Sequence, residues 1–68
     1  MDSGWQCIYF NNQMYKIEIV RAVLEDQDIK SVVIDKRDSS YFMVGDIEIY
    51  VNNEDVILAK IIIDQNEL

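Results

Sequence analysis

The chain has 68 residues, of which 13 are acidic and 6 basic, for a formal net charge of −7; it has one cysteine, no proline and no histidine. So short a chain makes a single domain, 1–68, and its half-apolar composition with two glycines is that of a packed unit rather than a disordered acidic tail. The acidic balance repels a phosphate backbone, and Lys36-Arg37 is the one adjacent basic pair, so nucleic acid is not an expected partner.

Met1-Asp2-Ser3-Gly4 offers neither a basic n-region nor an apolar h-region, which argues against a secretory signal. Trp5 to Phe10 is aromatic and β-rich and reads as a first strand, with Trp5, Cys7 and Tyr9 on one side and Gln6, Ile8 and Phe10 on the other. Asn11 and Asn12 supply a turn and a capping oxygen for the helix that follows, from about Gln13 to Asp26. At 100° per residue, Ile17, Val20 and Leu24 fall on one stripe with Val23 beside it, while Tyr15, Ile19 and Ala22 lie opposite.

Ile29 to Lys36 is the second strand, centred on Val32, Val33 and Ile34. The longest connection follows, from Arg37 to Gly45. Asp38, Ser39 and Ser40 favour turns, Gly45 suits a positive φ, and the apolar run Tyr41 to Val44 is expected to tuck over the core. From Asp46 to Val51 the alternation is clean: Ile47, Ile49 and Val51 point one way, Asp46, Glu48 and Tyr50 the other. Asn52, Glu54 and Asp55 precede a last apolar run with a cap and two carboxylates, which favours a helix from Val56 to about Gln65 over a fourth strand. That run is broken by Lys60 and is far shorter than the roughly 20 residues a membrane helix needs.

The order strand, helix, strand, strand, helix predicts an α+β fold, βαββα. In it a three-stranded sheet of order 1-3-2, a split βαβ, carries both helices on one face, like a ferredoxin-like domain without its last strand. The other face of the sheet is open; Ile8, Phe10, Val33 and Tyr50, or the residues alternating with them, are its apolar candidates. A domain this small buries only about 60% of the surface that its unfolded chain exposes, so further burial is needed. Cys7 has no partner for a disulfide, and one thiolate without histidine cannot close a structural zinc site. Self-association is the remaining source of burial, with Ile8, Phe10, Tyr50, Ile57 and Ile61 as the candidate surface, and the lone thiol suits a cytoplasmic setting.

The segment Asp35-Lys36-Arg37-Asp38-Ser39-Ser40-Tyr41, followed by Gly45-Asp46-Ile47-Glu48-Ile49-Tyr50-Val51, resembles a family of short prokaryotic proteins described as putative signal-transducing proteins, a domain of unknown function. The resemblance extends to Trp5, Tyr9, Val20, Leu24, Glu25, Ile29, Asp55 and Ala59, and departs at Ile17 and Asp28, where the family more often has a small residue and a glycine. It implies a PII-like, ferredoxin-like fold and a tendency to associate, and no established activity.

The densest polar cluster is Lys36, Arg37, Asp38, Ser39, Ser40 and Tyr41, running on to Gly45, where two cations and three hydroxyls could meet an anion. The simpler expectation is a hairpin connection whose charges face water. Cys7 lacks a base to generate thiolate and is expected in the core. Asp35, Asp38, Asp46 and Glu48 are expected to keep a sheet edge soluble rather than run acid–base chemistry. Two glycines forty-one positions apart make no phosphate nest. The expectation is therefore a non-enzymatic regulatory or adaptor module, without cofactor, metal or membrane, that binds a protein partner or itself. A sensor of an anionic metabolite at the 36–45 connection is the alternative.

Overall fold

A computed structural model describes residues 4–37 and 46–68. Strand β1 (Trp5–Asn11), helix α1 (Met14–Asp26), strands β2 (Ser31–Asp35) and β3 (Ile47–Asn52), a 3₁₀ turn (Asn53–Asp55) and helix α2 (Val56–Gln65) follow in that order. The expectations for Asp38, Ser39, Ser40, Tyr41, Gly45 and the run between Tyr41 and Gly45 fall outside the described residues.

The sheet has order β1-β3-β2, and β3 pairs antiparallel with both neighbours. This is the expected split βαβ arrangement. β3 occupies the centre because its alternation fits one buried face: Ile47, Ile49 and Val51 are fully buried, while Glu48, Tyr50 and Asn52 are half-buried. Against them pack Ile17, Val20 and Leu24 of α1 and Val56, Ala59 and Ile62 of α2, which complete the core with Ile29. The helical stripe of α1 is the one that its periodicity predicts, and Tyr15, Ile19 and Ala22 face away from the core.

The first strand departs from simple alternation. Cys7 pairs with Tyr50 and Tyr9 with Ile49, consecutive residues of β3, so Ile8 is an extra residue bulged between them. Paired residues share a face. The bulge therefore leaves Trp5, Cys7 and Phe10 on the open face, and turns Tyr9 toward the helices with Ile8, which packs against the core. This corrects three expectations: Tyr9 parts from Trp5 and Cys7, Ile8 leaves the open face, and Cys7 is half-buried on that face rather than in the core. In β2 the register puts Val33 toward the core and Val32 and Ile34 on the open face.

Helix ends follow their side chains. Asn11, still within β1, accepts the Gln13 amide at 2.9 Å, while Gln13 itself occupies the α1 cap position without a side-chain bond. Asn52 accepts from the Glu54 amide at 3.3 Å and caps the 3₁₀ turn that leads into α2. Both helices end alike. After α1 the Ile29 amide bonds the Leu24 carbonyl and the Asp28 amide that of Glu25; after α2, Leu68 bonds Ile63 and Glu67 bonds Asp64. These are paired 6→1 and 5→2 closures, with Asp28 and Glu67 in the left-handed region at φ 63° and 56°. Closure of α1 delays β2 to Ser31 and buries Ile29 in the turn before it.

Candidate functional site

With both helices on one side, the strands present their alternate residues on the other. The open face carries Trp5, Cys7 and Phe10 from β1, Val32 and Ile34 from β2, and Glu48, Tyr50 and Asn52 from β3. Phe10 is 62% exposed and Trp5 47%, with Val32 and Ile34 more than two-fifths exposed. Trp5, Val32, Ile34 and Tyr50 line a shallow apolar depression of about 510 Å³.

Polar contacts on this face are internal. Glu48 Oε1 accepts the Tyr50 hydroxyl at 2.6 Å and lies 3.0 Å from Lys36 Nζ. The Tyr50 hydrogen bond, followed by that of Lys36, holds the Glu48 carboxyl below its ordinary range. The same contacts raise Lys36 and Tyr50 above theirs, each chiefly through its hydrogen bond to Glu48. Beside them, Asp35 accepts the Arg37 amide at 3.0 Å and two guanidinium nitrogens at 3.0 and 2.8 Å, and the Arg37 side chain lowers its pKa. Lys36 and Arg37, the cations of the candidate anion site, thus each hold a carboxylate of the same hairpin. Among the described residues, no three carboxylates or thiols gather as metal ligands.

A second apolar surface lies on the helices. Ile57 is 76% exposed, and Leu58 and Ile61 of α2 and Tyr15 and Ile19 of α1 are also exposed. Between α2 and the bulge, Ile8, Ile63 and Leu68 line a groove of about 320 Å³ with Lys60, Asp64 and Glu67 along it.

Of the residues expected on a contact surface, the structure brings Phe10 and Tyr50 together on the open face and puts Ile57 and Ile61 on the helical one. Ile8 lies with neither group. Leu58 is missed, and Trp5, Val32 and Ile34 enter only as the residues alternating with those named, Val33 among them turning to the core, because three successive apolar residues from Val32 to Ile34 carry no sign of which parity faces outward.

A family model described as "Putative prokaryotic signal transducing protein" matches residues 5–67, which takes in the whole sheet and both helices. The chain belongs to this family. No curated protein and no solved structure matches it. For this member of the signal-transducing family, the described residues contain no helix long and apolar enough to cross a membrane.

Proposed function

We propose that this family member is a non-catalytic regulatory module of the cytoplasm that transmits its signal by binding other proteins and its own copies. The observation that carries the reading is the display of large apolar side chains on two opposite faces, the open sheet and the outer side of the helices. Isolated exposed apolar residues are ordinary, whereas clustered ones on a small domain mark contact surfaces. The βαββα order with its 1-3-2 sheet supports a ferredoxin-like ancestry, and a single half-buried cysteine supports a reducing compartment. An anionic metabolite at the root of the 36–45 connection would have to displace Glu48 from Lys36 and Asp35 from Arg37, which favours protein binding over metabolite sensing.

The test is capture from a prokaryotic lysate by the chain and by its Ile57→Lys/Ile61→Lys variant side by side. Both positions face water, so the variant keeps its fold. A protein retained by the first and released by the second is expected. Retention of nothing, or of the same proteins by both, would sink the reading.

A further inference from the structure

The two apolar faces differ in charge. Within the three strands the open face carries a single formal charge, Glu48, and Lys36 neutralises it at 3.0 Å. Of the other charged side chains among the described residues, ten are acidic and five basic, and their excess of negative charge lies on the other surfaces. Two acidic copies repel each other wherever those surfaces meet, and least where the sheet faces meet. A basic partner would instead be drawn to the acidic surfaces and gain nothing electrostatically on this one.

Shape points the same way. Phe10 stands on the edge strand β1, 62% exposed, and the depression lined by Trp5, Val32, Ile34 and Tyr50 lies beside it on the same face. A projecting ring and a hollow on one surface are what a two-fold interface needs, because each copy then supplies both halves of the fit. We infer that a second copy of this chain covers the open face of the sheet, with Phe10 of each copy seated in the hollow between Trp5, Val32, Ile34 and Tyr50 of the other. This rests on the proposed self-association and specifies its surface; the helical face stays available to a different protein.

The area is sufficient and no more. Aromatic side chains remove about 150–250 Å² each when covered, so Trp5 and Phe10, half exposed, offer about 200 Å² together. With Cys7, Val32, Ile34 and Tyr50 the face offers roughly 500 Å² per copy, or about 1,000 Å² in all, the lower bound for a specific interface. The dimer therefore dissociates on dilution. Sheets stacked in this way lie about 10 Å apart and give a helix, sheet, sheet, helix sandwich.

Trp5 is the only tryptophan and sits in the proposed interface, so its fluorescence responds when this face is covered. The experiment is a dilution series from millimolar to submicromolar protein, with molar mass from light scattering and Trp5 emission read on the same samples. The expected result is a mass that doubles with concentration while the emission moves to shorter wavelength in step. Phe10→Lys and Ile34→Lys, each with an unchanged far-ultraviolet spectrum, are expected to stay monomeric, while Ile57→Lys on the helical face dimerises as before. A monomer at every concentration overturns the inference, as does a dimer whose Trp5 emission stays fixed, a dimer that survives both sheet-face variants, or a trimer or larger. If the chain stays monomeric but still captures a protein in the lysate experiment, this inference fails and the partner-binding reading stands.

Discussion

Glu48 takes the Tyr50 hydroxyl and the Lys36 ammonium on one oxygen, and this small cluster makes stability depend on pH at both ends of the scale. The Glu48 pKa is lowered in the fold, so its contribution is complete above the unfolded carboxyl value of about 4.3 and is lost as pH falls through the lower folded value. Asp35, lowered by Arg37, behaves the same way from about 3.9 downward. Lys36 and Tyr50 are raised, so theirs is complete below the unfolded values of about 10.4 and about 10 and disappears as pH climbs through the folded ones. Urea titrations from about pH 7 to about pH 3 should therefore show a shallower loss of stability for Glu48→Gln than for the parent, and Tyr50→Phe should flatten the alkaline limb. At the helix ends, Asp28 and Glu67 hold left-handed φ values that cost a residue with a Cβ about 1 kcal/mol. Aspartate tolerates this region better than glutamate. Glu67→Gly should thus raise stability by up to about 1 kcal/mol and Asp28→Gly by less, read as a shift in the urea midpoint with an unchanged slope.

Among the elements, β3 carries the most. Ile49 is fully buried in the middle of the central strand, and truncating such a side chain costs about 2–5 kcal/mol. A domain below about 70 residues has only about 3–5 kcal/mol to lose. Ile49→Ala is expected to unfold the chain in the absence of any denaturant, visible as a collapsed far-ultraviolet signal. Asn52→Ala, which removes the cap of the 3₁₀ turn, should cost about 1 kcal/mol and leave it folded. The alternation of Ile47, Ile49 and Val51 and the stripe of Ile17, Val20 and Leu24 are legible in the sequence because each element has one buried side and one wet side. Asn52 with Glu54 and Asp55 likewise marks the entry to α2 and decides between helix and strand. The first strand is illegible for the opposite reason. Ile8, Tyr9 and Phe10 are all large and apolar, so inserting one residue changes which of them face the core without changing the pattern, and only the pairing with β3 exposes the bulge. The open face inherits the same ambiguity: Phe10 and Tyr50 can be named from sequence, but Trp5, Cys7, Val32 and Ile34 join them only once the register of both edge strands is known.

At the scale of the whole molecule the chain is a slab of 34 × 31 × 15 Å, one helix layer on one sheet layer, and such a shape has little interior for its surface. A dimer through the open face would double the number of layers and make the melting temperature rise with protein concentration. Because the copies are like-charged and the contact apolar, added salt should strengthen this association: at 0.1 M the screening length is about 10 Å, short enough to mute repulsion between the acidic surfaces. Sedimentation equilibrium at low and high salt reads that directly, and weaker association in high salt would mean that charge pairs hold the copies together. The strand order has a further consequence, in time rather than in space. β1 and β2 do not touch as strands; each has β3 as its neighbour, and the β1 pairs run from Trp5 with Asn52 to Asn11 with Ile47. Among the described strands, no ladder can therefore begin on a nascent chain until β3, at the start of the last third, is being made, and a ribosome stalled before Ile47 holds two sticky strands without their β3 partner and a half-wet helix between them. For such a sequence, the steps between translation and completion of β3 are when a chaperone has most to protect.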